Sequence, residues 1–295
     1  MKIAVIRFSA LGDLASMYPI LKSLKYQPTI ITTNIGKLYY EDEFENIICL
    51  KSKSIVNVIK LIIKLRKEKF DAVFDFQCND RSRFITKFLK TKIFDNKDID
   101  VYNNSTFDIF KSIVNKSGLL ENINIDFNKR EKNYIVFNCG SSEKWKSKRL
   151  PTEKWIEFSK IISSKYSLPI YLIGDKTEME YINNISKKLH GNIKNLVGTT
   201  SIKELKIILK NAYLTISTDS AAMHISAVSG TPTIGIFGAT NWIRSAPYGE
   251  WSTVIYDKLF FSNNKPLKAN TMEINETMYM NINIEDAINK IEKYL

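Results

Sequence analysis

The chain reads as an α/β protein of two Rossmann-like domains whose parallel sheets face a cleft. Three observations predict this. Short apolar strands alternate with helical patterns through the first half, the alternation lapses over residues 95–133, and it then restarts and continues toward the end. Consecutive parallel strands can be joined only by a crossover, and a right-handed one packs its helix back onto the sheet. The domains are therefore expected at 1–130 and 131–280, with a last helix in 281–295.

In the first domain the candidate strands are Lys2–Arg7, Thr29–Thr33, Ile47–Leu50 and Ala72–Phe76, separated by helical patterns at Leu14–Leu24, Ser54–Lys67 and Arg81–Leu89. Within Ser54–Lys67, Ile55, Val58, Ile59, Ile62 and Leu65 recur at helical spacing, and Lys60, Lys64 and Lys67 take the other face. Those lysines read as a solvated face rather than a binding patch. Residues 95–133 are rich in Asn, Asp and Lys and promise only short, weak elements, as at a domain boundary.

The second domain starts with a strand at Tyr134–Asn138, a helix at Thr152–Tyr166, a strand at Ile170–Ile173 and a helix at Glu178–Leu189. Ile202–Lys210, Leu214–Ser217, Ala221–Ser229 and Thr233–Phe237 continue the alternation. The final helix, Ile284–Leu295, has room to pack back on either domain, the N-terminal one being the candidate partner.

Composition narrows the function classes. Hydrophobic residues make up 44% and charged residues 25%, the ordinary balance of a soluble globular chain. No stretch has the eighteen uncharged apolar residues of a membrane span, and the first apolar run is too short, and too soon broken by Arg7, for a signal peptide. Cys49, Cys78 and Cys139 stand far apart, with neither disulfide nor zinc spacing, which fits a reducing cytoplasm. The net charge is +12. Lysine far outnumbers arginine and no aromatic stacking motif interleaves the charge, so no nucleic-acid partner is expected. An AT-rich genome accounts for the bias, and an anionic membrane surface or substrate suits it equally.

Four constellations carry chemistry. The first is Ser9-Ala10-Leu11-Gly12-Asp13, where a strand gives way to a helix. Gly12 permits a tight turn. Asp13 is either an ordinary helix-start aspartate, accepting orphan N–H groups, or a base at the carboxyl end of a sheet, where open α/β folds place their ligands. The second is Asn138-Cys139-Gly140-Ser141-Ser142, a small-residue loop whose amides can take an anion, followed by Lys144, Lys146, Lys148 and Arg149. It reads as an exposed basic loop or as a diphosphate clamp.

The third, Ser217-Thr218-Asp219-Ser220-Ala221-Ala222-Met223-His224, delivers a polar turn from an apolar strand straight into a helix. Asp219 or Ser220 can be a plain N-cap, but the same free amides and dipole make an anion site. His224, one of two histidines, lies a helical turn beyond Ser220. The fourth runs from Ser229 to Asn241. Its glycines bracket a strand without the GxGxxG spacing, so it is no dinucleotide fingerprint.

Taken together and in order, these stretches resemble glycosyltransferase family 9, the bacterial heptosyltransferases of lipopolysaccharide core assembly. Ser9, Leu11, Gly12, Asp13 and Pro19 match its opening segment; Asp75, Gln77, Arg81 and Ser82 match a second. Lys148, Arg149 and Pro151 match a third, with Leu150 where Trp is usual. Asp219, Ser220, His224, Gly230-Thr231-Pro232 and Phe237-Gly238-Ala239-Thr240 match its most recognisable signature, Ala221 replacing the customary Gly, and Pro247-Tyr248-Gly249 fits as well. The matches span residues 3 to 249.

The resemblance implies a GT-B fold, with the acceptor bound by the first domain and a nucleotide sugar by the second. It implies inverting transfer without a metal or other cofactor. On it, Asp13 is the general base. Ser141, Lys148, Glu178, Asp219, Ser220, Ala221 and His224 form the donor side, with Lys148 on the phosphates and Glu178 toward the nucleoside. Ser9, Gly12 and Arg81 form the acceptor side. The implied donor is ADP-heptose and the acceptor an anionic core glycolipid, met in the cytoplasm at the inner face of the cytoplasmic membrane by a peripheral contact. Such chemistry suits these residue types: an ionised aspartate can take the proton of the attacking hydroxyl, and cations and helix amides can take the charge of the leaving diphosphate.

Three rival readings are weaker. Asp98-Ile99-Asp100 has the spacing of a metal-binding pair but sits in a polar segment without a strong preceding strand. Ser220, His224 and Asp219 lack the GxSxG elbow of a hydrolase. A non-catalytic nucleotide-sugar-binding protein is the third, and the retention of Asp13 speaks against it.

Overall fold

The first apolar run becomes the middle strand of a parallel sheet. The computed structural model describes residues 1–125, 127, 129 and 131–295 and separates into two units, Met1–Asn124 and Ile125–Leu295. In the first unit the strands are β1 (Ile3–Ile6), β2 (Thr29–Thr32), β3 (Ile47–Cys49), β4 (Ala72–Asp75) and β5 (Lys92–Phe94). They pair in parallel in the order β3-β2-β1-β4-β5. The helices are α1 (Leu11–Lys22), α2 (Asn34–Tyr40), α3 (Ile55–Glu68), α4 (Asp80–Lys87) and α5 (Thr106–Asn115). All residues of β1, β2 and β4 are buried, as strands covered by helices on both faces must be.

Several elements depart from the sequence reading. α1 starts at Leu11, not Leu14, so Asp13 lies inside its first turn. α2 was hidden by Gly36, which reads as a breaker but is needed here: a Cβ would overlap the Thr32 side chain. The stretch taken as weak contains α5, capped by Ser105, whose Oγ accepts from Asp108 N at 3.0 Å. α5 buries Ile109, Phe110, Ile113 and Val114, and Phe110 stacks on Phe76 with centroids 4.5 Å apart. On α3 the buried set is Val58, Leu61, Ile62 and Leu65; Ile55 and Ile59, expected inside, face solvent.

The second unit holds β6 (Ile135–Asn138), β7 (Ile170–Leu172), β8 (Ile193–Asn195), β9 (Leu214–Thr218), β10 (Thr233–Ile236) and β11 (Ser252–Ile255), parallel in the order β11-β10-β9-β6-β7-β8. Its helices are α6 (Thr152–Tyr166), α7 (Met179–Ser186), α8 (Ile202–Asn211), α9 (Ala221–Val228) and α10 (Ile284–Ile291). The short outer strands β8 and β11 gave no pattern in the sequence. α9 is buried from Ala222 to Val228, so its small residues let it lie close on the sheet. The last helix, for which the sequence left two partners open, packs with β11 in the core of its own unit through Ile284, Ala287, Ile288 and Ile291.

Each sheet therefore has one switch point. Strand order runs outward in opposite directions from β1 and β4 in the first unit and from β6 and β9 in the second. Loops leaving the carboxyl ends of such a strand pair diverge and leave a crevice, where open α/β sheets bind ligands. No helix of the described residues is long and apolar enough to cross a membrane.

Candidate functional site

The switch point of the first unit is built from the loops after β1 and β4. Arg7 directly follows β1 and points its guanidinium at Asp13, with Nη2 2.5 Å from Oδ2. The same oxygen accepts from Ala10 N at 2.9 Å, so Asp13 both closes the start of α1 and holds an arginine. Arg7 is fixed in turn: Nη1 donates to the Phe76 carbonyl at 2.5 Å, and the guanidinium lies 5.4 Å from the Phe110 ring centroid. Gln77 ties the two loops together, its Oε1 accepting from Phe8 N at 2.8 Å and Ser9 N at 3.2 Å.

Beneath them, Asp75 Oδ1 accepts from Gln77 N at 3.0 Å and Cys78 N at 2.9 Å, which folds the turn into α4. Burial pushes the Asp75 carboxyl above its ordinary range. Burial and the neighbouring Asp75 push the Cys78 thiol up to about 12, far from a reactive thiolate. Of the expected acceptor residues, Ser9 is exposed on the β1–α1 turn, Gly12 is half-buried in α1, and Arg81 is half-buried in the first turn of α4, one strand over.

The switch point of the second unit joins the loop after β6 to the turn after β9. Register pairs Asn138 with Ser217. Asn138 Nδ2 donates to Ser217 Oγ at 3.1 Å and Ser220 Oγ at 2.8 Å, and Thr218 Oγ1 donates to the Gly140 carbonyl at 2.6 Å. Ser220 is the N-cap position of α9, but its hydroxyl serves this cross-strand network rather than the helix amides. Ala221 takes ordinary helical backbone, so the family's glycine is not required there by conformation.

Lys148 reaches this turn. Its Nζ lies 2.8 Å from Asp219 Oδ2 and 3.2 Å from the Asp219 carbonyl oxygen, and 5.5 Å from the Trp145 ring centroid. The structure thus brings Lys148, Asp219, Ser220 and Ala221 together, with His224 buried one turn into α9. The loop bearing Lys148 is anchored by Tyr279, whose hydroxyl donates to the Ser147 carbonyl at 2.7 Å, and by Ser147 Oγ, which donates to Thr271 O at 2.9 Å.

Ser141 is buried, its Oγ donating to Trp145 O at 2.7 Å and its carbonyl accepting from Arg149 Nη2 at 2.6 Å. These contacts make it a brace of the loop. Glu178 lies at the carboxyl edge against Gly140 and Gly174, either of which would overlap it if given a Cβ. Its Oε2 accepts from Asp175 N at 2.7 Å, and burial pushes its carboxyl above the usual range.

The sequence did not single out Arg7 or Tyr279, and Asn138 entered it only as the first residue of the small-residue loop. Arg7 had a signal, a lone guanidinium ending an apolar strand next to Asp13. Tyr279 had none, because its partners lie 132 and 40 residues away. The rival metal pair Asp98-Ile99-Asp100 follows only the three-residue strand β5. Asp100 is occupied in its own turn, accepting from Tyr102 N at 2.9 Å and from Asn103 Nδ2 at 2.6 Å. Among the described residues no three His, Cys, Asp or Glu side chains cluster as metal ligands do.

The family model described as glycosyltransferase family 9 (heptosyltransferase) matches residues 103–271. The chain is 23% identical to a lipopolysaccharide core heptosyltransferase of Haemophilus influenzae over 99% of this chain and 96% of that one. Among solved structures, a family 9 glycosyl transferase from Veillonella parvula aligns with a TM-score of 0.73 at 16% identity, covering 98% of this chain and 96% of that one. ADP-heptose lps heptosyltransferase II of E. coli aligns at 0.69 and 16% identity, covering 100% and 98%.

Proposed function

Because the chain belongs to glycosyltransferase family 9 and has its GT-B fold, we propose that it transfers a heptose from ADP-heptose to a lipopolysaccharide or lipooligosaccharide core acceptor, inverting the anomeric centre without a metal. The curated relative acts on a lipopolysaccharide core and the E. coli relative carries ADP-heptose in its name. The observation that carries the reading is the meeting of Lys148 with the turn that opens α9 at Asp219.

Inversion needs an acceptor oxygen to attack the anomeric carbon opposite the departing diphosphate. As the new C–O bond forms and the bond to the diphosphate breaks, the acceptor loses its proton. Asp13 takes that proton, its carboxylate kept in place by Arg7 and the Ala10 amide. Negative charge accumulates on the leaving diphosphate. Lys148 and the amides at the start of α9 receive it, so that ADP leaves as a stabilised anion. Lys148 already faces a carboxylate, so donor phosphates compete with Asp219 for one ammonium, and Asp219 keeps that ammonium aimed at the turn between turnovers.

Glu178 meets the nucleoside, its carboxyl seated against Gly140 and Gly174, where no Cβ crowds it. Ser9, Gly12 and Arg81 meet the acceptor, Arg81 serving its anionic groups. The acceptor is a glycolipid of the inner leaflet, and transfer takes place at the cytoplasmic face.

The test is turnover of ADP-heptose with a heptose-deficient core acceptor, in chelator, with the product linkage read by NMR. Release of ADP with an inverted linkage supports the reading. Asp13→Asn should lower kcat by about 10²–10⁴-fold while leaving ADP affinity within a few-fold. Unchanged turnover in that variant, or loss of turnover in chelator, overturns the corresponding part of the proposal.

A further inference from the structure

We propose that the face formed by α3 and α4 docks the chain on an anionic bilayer surface. Four apolar side chains of α3, Ile55, Val56, Ile59 and Ile63, with Phe84 of α4 and Phe88 at its C-cap, are between 41% and 61% exposed. A surface helix normally turns its apolar stripe inward, and α3 does so with Val58, Leu61, Ile62 and Leu65. The stripe does not stop there; it continues round the helix into solvent. Phe84 and Phe88 form an edge-to-face pair at the end of α4. Both helices cover the same side of the sheet, sharing a core through Leu65, Phe70, Ile85 and Leu89.

Cations are dense on the segments that carry these helices. Residues 51–69 hold seven Lys or Arg and one Glu, and residues 80–92 hold five and one Asp, so the two segments sum to +10 beside +12 for the whole chain. The one glutamate, Glu68, is taken by Lys2 at 2.6 Å. A cavity of about 290 Å³ opens where α3 and α4 end, floored by Leu65, Phe70 and Leu89 and ringed by Arg66, Lys69 and Lys90.

Exposed apolar groups interleaved with cations are the composition of a helix that lies in the plane of a membrane interface. A polyanion would use the cations but gain nothing from six exposed apolar side chains. A second copy of the chain would set one lysine-rich face against another. An anionic leaflet satisfies both features: its headgroups draw the lysines, and the acyl boundary receives the apolar groups. The cavity then takes a lipid headgroup phosphate. The lysines Lys60, Lys64 and Lys67, plain solvated cations from the sequence, become part of the docking surface. The inference stands on this surface alone, although a glycolipid acceptor gives it a use.

The test is co-sedimentation of the full chain with vesicles of phosphatidylglycerol and phosphatidylcholine, and with phosphatidylcholine alone. Binding is expected only to the anionic vesicles, and should weaken in high salt. Ile59→Asp with Ile63→Asp, and separately Lys60→Glu with Lys64→Glu, should each reduce it by about tenfold or more. Both pairs should keep the parental melting curve, and transfer to a water-soluble acceptor fragment should be unaffected. Serine at the two isoleucines repeats the test if the aspartates fail to fold. The proposal is overturned if the parent ignores anionic vesicles, if the apolar substitutions leave binding intact, as for a polyanion site, or if sedimentation velocity shows a dimer that they abolish. Vesicle binding by a chain that transfers no sugar leaves this proposal standing and removes the transfer reading instead.

Discussion

Lys148 Nζ and Asp219 Oδ2 lie 2.8 Å apart, with side chains 17% and 8% exposed. The pair joins the basic loop to the turn that starts α9, and it answers what the loop is for. A lysine held against a nearly buried carboxylate is not one of several solvated cations. Removing one partner leaves the other charge uncompensated where water can hardly reach it.

Lys148→Met is therefore expected to lower kcat/KM by about 10²–10³-fold and stability by about 3 kcal/mol. Adding Asp219→Asn should restore most of the stability and none of the activity. Steady-state kinetics and denaturant unfolding of both variants check this. Equal stability of the single and double variants would mean that the pair does not couple.

Arg7 is expected to act through Asp13. Arg7→Met should reduce kcat by about 10-fold to 100-fold with ADP affinity unchanged, because its ion pair, its bond to Phe76 O and its contact with Phe110 all lie in the first unit. Arg7→Met added to Asp13→Asn should cost little more than Asp13→Asn alone. Additive losses in that double variant would separate the two residues.

Gly140→Ala forces a Cβ into the Glu178 carboxylate. The expected result is a loss of about 1–3 kcal/mol from overpacking, together with weaker ADP binding as the carboxylate is displaced. Calorimetry of ADP binding and a melting curve read the two effects separately. A variant with parental values for both would show that the loop gives way without consequence.

Glu178 also sets a pH dependence. Burial raises its carboxyl above the ordinary value of 4.5. A raised acid binds its proton more tightly when folded, so its contribution to stability is full below 4.5 and is lost as pH rises through the folded pKa. Glu178→Gln should accordingly melt higher than the parent near neutral pH, with the advantage shrinking toward pH 4, and should bind ADP less well. A melting difference independent of pH would refute the charge as its cause.

The turns themselves were legible because they are written locally. Gly12-Asp13 and Asp219-Ser220 each follow an apolar strand and precede a helix, and both lie at switch points of the sheets. The fold class was legible for the same reason: fully buried parallel strands are continuous apolar runs. What escaped has a common cause, dependence on distant partners. α5 looked weak because its strength is Phe110 on Phe76 and its packing on α1. The face of α3 came out rotated because periodicity marks every apolar position, and only the sheet decides which of them are covered. β8 and β11 are short outer strands, one of them half polar. Arg7 became significant only once the chain had brought Phe76 and Phe110 to it.

The placement of Trp145 makes the molecule its own optical gauge. Of the four tryptophans, Trp155, Trp242 and Trp251 are buried, while Trp145 is half-exposed with the Lys148 ammonium 5.5 Å from its ring. An ammonium drawn off an indole by an arriving phosphate alters the emission of that ring and leaves the other three dark to the event. Nucleotide titrations of the unlabelled protein should thus be readable by eye of a fluorimeter, and the signal should vanish with Trp145→Phe while the fold and its remaining emission persist.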